Sequence, residues 1–138
     1  MMSRNQVECC QDEKMRLLVE ILKCVKRHRS CDGATFIDLE TNFERHGYHY
    51  KGVFSCTMPG SKQRILYWDG WKAEAFYMIG LLIEEGLIEK KWITPLAYMG
   101  KTLKQLPIIY NLKDLKQDGW IPILFVITPK GDECLRNL

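Results

Sequence analysis

Apolar residues recur at helical spacing between Lys14 and Arg29. Leu17, Leu18, Ile21, Leu22 and Val25 fall on one face, and neither Gly nor Pro interrupts them. Asp12 or Glu13 near the start and Lys26, Arg27 and Arg29 near the end suit the helix dipole. The stretch from Ser30 to Ala34 breaks this helix with Cys-Asp-Gly. A second, weaker helix is expected over Thr35–His46, where Phe36, Leu39 and Phe43 fall at i, i+3 and i+7 and Gly47 can close it in a left-handed conformation. Tyr48 to Trp68 is rich in aromatic and β-branched residues, with Met-Pro-Gly-Ser at 58–61 as a turn signal. It reads as a β-hairpin or an irregular insert.

Asp69 or Gly70 can cap a third helix from Trp71 to about Glu85, with Gly86 ending it. Leu87 to Trp92 has the look of a short strand. Thr94 to Gly119 is a long polar connection. Trp120 to Thr128 is an apolar run of strand length, which Pro122 confines to an edge or a strand start. Pro129 suits the first turn of a closing helix through Cys134 and Leu135. Residues 1–13 are expected to be a flexible N-terminal segment, and 14–138 one α+β domain with an insert at 48–68 and a wing at 93–120. A third helix feeding a two-stranded hairpin is the layout of a winged helix-turn-helix, a three-helix core closed by a β-hairpin wing. Here it would carry an inserted hairpin and a C-terminal helix.

Composition narrows the class without naming a function. The chain has 138 residues with 46% hydrophobic and 27% charged, so it can bury a core without disulfide or metal. Its net charge of +3 excludes a histone-like polybasic protein. The polar start has no apolar core of a secretory signal, and the apolar stretch Ala75–Ile83 is far short of the roughly 20 residues that span a membrane. A soluble, cytoplasmic protein with no membrane partner is expected. Cys9, Cys10, Cys24, Cys31, Cys56 and Cys134 are then read as free thiols.

Two stretches carry a family look, FYMIGLLIEEGLIEK at Phe76–Lys90 and ITPKGDECL at Ile127–Leu135. Together they resemble bacterial winged-helix regulators, and look closest to the poorly characterised YjcQ-like prophage proteins. The resemblance covers about half the chain. It implies a DNA-binding transcriptional regulator of bacterial or prophage origin, working as a homodimer. The insert and the wing are both longer than such proteins usually carry.

The residues themselves pull two ways. A recognition helix buries one face and turns polar side chains to base edges. On the third helix the inner face would be Trp71, Ala75, Met78, Ile79 and Leu82. The outer face would be Ala73, Tyr77, Gly80 and Glu84, flanked by Phe76 and Leu81. Among residues that read bases only Lys72 is available, and Glu84 and Glu85 would repel phosphate. Such a helix is more often covered on two sides, by the insert, the wing or another copy. The wing is the basic part. From Lys90 to Trp120, Lys90, Lys91, Lys101, Lys104, Lys113 and Lys116 face only Asp114 and Asp118, a net +4, with Trp92, Tyr98, Tyr110 and Trp120 interleaved.

Two functions follow. In the first, Lys90, Lys91, Lys101 and Lys104 touch the phosphates of double-stranded DNA while Lys72 and Tyr77 lie at or near a groove. The alternative is a protein-interaction module, such as a phage- or mobile-element-encoded inhibitor or adaptor. Its anchors would be Tyr48, Tyr50, Phe54, Trp68, Phe76, Tyr77 and Leu81. Lys23, Lys26, Arg27 and Arg29 form a second basic cluster, read as dipole complementation. Four of Cys24, His28, Cys31, His46, His49 and Cys56 could in principle surround zinc. There is no C-x2-C pair, however, and Cys24 falls on the apolar face of its helix. No metal, no cofactor and no enzymatic activity are expected, because no nucleophile–base pair, paired acid and base, or phosphate loop occurs at a recognisable spacing.

Overall fold

The computed structural model describes residues 4–93, 98, 106–110 and 115–138, with side chains from Asp12 onward. The order is α1 (Arg4–Arg27), a 3-10 turn (Arg29–Cys31), α2 (Phe36–Arg45), β1 (Lys51–Thr57), β2 (Ile65–Trp71), α3 (Ala73–Glu84), β3 (Ile88–Trp92), β4 (Gly119–Trp120), β5 (Ile123–Ile127) and α4 (Pro129–Arg136). The fold is α+β with two small sheets. β1 and β2 form an antiparallel hairpin to which β4 adds in parallel, and β3 pairs antiparallel with β5. No described helix is long and apolar enough to cross a membrane.

α1 buries the stripe Leu17, Ile21, Leu22, Cys24 and Val25, as its periodicity demands. It starts at Arg4, ten residues before the expected start, because residues 4–13 contain no Gly or Pro to stop a helix that α1 has already nucleated. α2 opens on a capping box. Thr35 Oγ1 accepts the Asp38 N–H at 3.2 Å, and Asp38 Oδ2 accepts the Thr35 N–H at 2.9 Å. Between α1 and α2, Gly33 stands at φ 138°, where an added Cβ would lie 2.5 Å from the Phe125 oxygen. This lets the backbone run against β5, so that Ala34 and Phe125 exchange both backbone hydrogen bonds at 2.9 and 2.8 Å. Ala34 thus flanks the β3–β5 hairpin as a one-residue third strand.

The segment expected as an insert at 48–68 forms the β1–β2 hairpin, which runs past that boundary. Asp69, Gly70 and Trp71 stay in β2, so they neither cap nor begin α3. Lys72 takes the cap position without a side-chain hydrogen bond. Trp71 is still fully buried, but from the strand. The apolar run 120–128 is split at Pro122, whose missing N–H suits a break between β4 and β5 and whose carbonyl accepts the Ile93 N–H at 3.1 Å.

One aromatic core ties these parts together. Phe36 stacks on Trp68 and meets Trp71, Phe76 and Phe125 edge-on. Buried Tyr98 donates its hydroxyl to the Ile123 carbonyl and accepts the Phe36 N–H at 3.3 Å. Glu40 of α2 accepts both the Trp68 and Trp71 indole N–H groups on one oxygen, at 3.0 and 2.9 Å. The two conspicuous sequence stretches also meet. Thr128 Oγ1 donates to the Gly86 carbonyl at 2.6 Å, with the Leu87 carbonyl 3.1 Å away, and accepts the Gly131 N–H at 3.0 Å, capping α4. Gly131 packs so closely on that junction that a Cβ would sit 2.1 Å from the Leu87 oxygen.

Candidate functional surface

α3 turns Ala75, Met78, Ile79 and Leu82 to the core, as 3.6-residue periodicity requires. Ala73, Glu74, Tyr77, Gly80 and Glu84 are exposed, with Phe76 and Leu81 half-buried at the flanks. Tyr77 is 58% exposed, and Lys14 of α1 lies 4.7 Å above its ring. The outward face of α3 therefore carries two carboxylates, a phenol and a gap at Gly80, where an added Cβ would meet nothing within 4 Å. It carries no cation of its own. Lys72, just before the helix, is half-buried with its Nζ 5.6 Å over the Tyr48 ring.

The candidate phosphate contacts on β3 are separated by the strand's own geometry. Successive side chains alternate faces, so Lys90 and Lys91 point to opposite sides. Lys90 leans on the insert, with Nζ 4.5 Å over the Tyr67 ring and 3.5 Å from its hydroxyl. Lys91 is exposed on the other face. Lys101 and Lys104 lie outside the described residues, as does Lys113. Of the interleaved aromatics, Tyr98 and Trp120 are core, while Trp92 and Tyr110 are exposed.

The aromatic anchors also divide. Tyr50 and Trp68 are buried, Tyr48 and Phe76 half-buried. Tyr50 donates to Glu44 at 3.0 Å, and Phe76 stacks on Trp71. These four build the domain, because an insert packed on α2 and α3 needs its large rings inside. Phe54 is outside. All of β1 is exposed or half-exposed, with Val53 91% and Phe54 55% accessible. β1 is an edge strand, and its pairing to β2 slips twice between Lys51 and Ser55. Its start lies beside the start of α3, where the Lys72 N–H donates to the Tyr50 carbonyl at 2.7 Å.

Cys24, His28 and Cys31 do not converge. Among the described residues no three His, Cys, Asp or Glu side chains come together to hold a metal ion. Cys24 Sγ is 3.9 Å from His28 Nδ1, and His28 Nε2 is 3.5 Å from Asp38, an order reminiscent of a thiol relay. The geometry opposes that chemistry. His28 Nδ1 spends its hydrogen bond on the Cys24 carbonyl at 2.8 Å, and burial pushes the thiol up to about 11. Lys26, in the last turn of α1, and Arg29, in the 3-10 turn that follows, pair with Asp132 of α4 at 2.7 and 3.5 Å. Their role as dipole partners is thus joined to a bridge between the two helices.

The chain matches no protein-family model, no curated protein and no solved structure.

Proposed function

We propose that this chain is a winged-helix protein-interaction module whose docking face is the outer side of α3 together with the exposed strand β1. The winged-helix reading is supported by the element order: α1, a one-residue strand at Ala34, α2, α3, then the β3–β5 hairpin against which Ala34 pairs. The β1–β2 hairpin is an insertion between α2 and α3. A likeness to YjcQ-like proteins fits the junction of Gly86–Leu87 with Thr128–Gly131.

The observation that carries the function is the outward face of α3. A helix entering a major groove must bring donors to base edges and cations to phosphates. This face offers Glu74, Tyr77, Gly80 and Glu84. Bringing two carboxylates toward a polyanion costs energy, whereas a phenol beside a small residue suits a protein contact. The partner that fits best is a second copy. Antiparallel self-pairing of β1 about Phe54 sets Lys51 opposite Thr57, so its one charged residue meets no like charge, and two-fold pairing of this kind closes. The strand is guarded against it only by its bulges and by Lys51.

The second reading, duplex binding, is favoured by the +4 segment from Lys90 to Trp120 and the exposed Lys91. Fluorescence anisotropy with a mixed-sequence duplex separates the two. The protein-interaction reading expects no saturable binding at micromolar protein in 150 mM salt. Micromolar binding that weakens steeply with salt, with a log–log slope of about 0.9 per phosphate contact, would replace it with the DNA reading.

A further inference from the structure

We propose that the cleft between the C-terminal half of α1 and the outer face of α2 binds a small oxyanion of the phosphate or sulfate type. The cleft has a volume of about 130 Å³ and is lined by Cys24, Arg27, His28, Asp38, Thr41, Asn42 and Arg45. A tetrahedral oxyanion fits that space, and a nucleoside or a drug-sized ligand does not.

The charge and hydrogen-bond balance of the lining selects the ligand. Its one carboxylate, Asp38, faces two guanidinium groups, so the lining keeps a net positive charge. Asp38 Oδ2 takes the Thr35 N–H and hydroxyl at 2.9 and 3.1 Å, and its Oδ1 faces His28 Nε2 at 3.5 Å. Asn42 is buried, and its Oδ1 takes one Arg27 N–H at 3.2 Å while its Nδ2 donates to the Glu20 carbonyl at 3.4 Å. The Thr41 hydroxyl donates to the Ile37 carbonyl at 3.1 Å. The donors are in surplus. Each guanidinium carries five N–H groups in a planar fork. Among the described residues Arg27 gives one N–H to Asn42 and lies against the neutral Cys24 thiol, and neither Arg27 nor Arg45 has a carboxylate within ion-pairing distance. Burial keeps the Cys24 thiol neutral at pH 7, so no thiolate cancels these charges. Asn42, anchored on α1, fixes the Arg27 fork before a ligand arrives, which lowers the ordering cost of binding.

The test is calorimetric titration of the full chain with inorganic phosphate and with sulfate, at ionic strength held constant with chloride. Backbone amide NMR shifts report the location. The expected result is one saturable site with shifts at Arg27, Asn42 and Arg45. Arg27→Gln and Arg45→Gln should each weaken binding about tenfold or more, the usual loss when a charged hydrogen-bond partner is removed. Arg27→Lys should keep part of the loss, because it restores the charge without the fork. Both arginines are exposed, so the variants should fold as the parent. O-phosphoserine as competitor distinguishes the source. Displacement admits esterified phosphoryl groups, and failure to displace restricts the site to the free ion. No saturable heat with either anion would overturn the proposal. So would an equal loss in Lys23→Gln, an exposed lysine of α1 outside the cleft, since that would mark diffuse attraction.

Discussion

Replacing Glu40 should uncouple the inserted hairpin from the helices. One carboxylate oxygen receives the indole N–H groups of Trp68 and Trp71, the latter fully buried. A hydrogen bond to a charged group contributes about 1.5–3 kcal/mol, and a buried donor left without a partner costs about 1–3 kcal/mol. Glu40→Ala strands two indoles at once. Water can reach Trp68 at the edge of the core more easily than Trp71, so the two costs should not add fully. The expected loss is about 3–4 kcal/mol. Glu40→Gln keeps an acceptor oxygen in place and loses only its charge, so about 1–2 kcal/mol is expected. Urea unfolding followed by far-UV circular dichroism measures both, with a reporter independent of the indoles. A Glu40→Ala variant within about 0.5 kcal/mol of the parent, the range of ordinary surface changes, would refute the claim that this carboxylate fastens the insert to α2.

Three further outcomes follow from the same contacts. Gly131→Ala places a methyl group 2.1 Å from the Leu87 oxygen, so thermal denaturation should show a loss above about 2 kcal/mol, and a parent-like midpoint would mean that the α4 junction yields freely. The Lys26 ammonium beside Asp132 holds its carboxyl below the usual range. The bridge therefore contributes above the ordinary carboxylate pKa and is lost as pH falls through the lowered one, and Asp132→Asn should destabilise at pH 7 by an amount that shrinks steadily in denaturant titrations as the pH is lowered below the ordinary carboxylate range. Burial pushes Cys24 up to about 11, while Cys31 is exposed; mass spectrometry after brief alkylation at pH 8 should find Cys31 labelled and Cys24 protected, and equal labelling would show α1 opening locally.

The faces of α3 were legible because helical periodicity alone sorts Ala75, Met78, Ile79 and Leu82 from Tyr77, Gly80 and Glu84. The hairpin insert was legible as a hairpin but not as to which of its rings pack inside. An aromatic residue serves a core and an interface equally well, and the usual period-two signal is missing. β2 is buried on both faces from Ile65 to Trp68, and β1 on neither. Tyr50 and Trp68 therefore read as anchors although they are core, whereas Phe54 is outside. Lys90 and Lys91 read as one patch because they are adjacent, yet adjacency in a strand sends them apart. Glu40 had no sequence signal. Its partners lie 28 and 31 residues away, and only the packed α2–β2 pair brings them within reach. The α1–α2 cleft was hidden for the same reason. Arg27 read as a dipole partner and Cys24 as a core residue, and neither spacing pointed to Arg45.

Light scattering on the eluting protein tests the docking face most directly, with the parent compared with Tyr77→Arg and Phe54→Asp at matched concentration and with folding checked by circular dichroism. Both residues are exposed, so neither change should unfold the domain. The account predicts a parent mass of twice 16.2 kDa and a monomer for at least one of the two variants. A parent that stays monomeric at high concentration, or a dimer that both variants preserve, would contradict it.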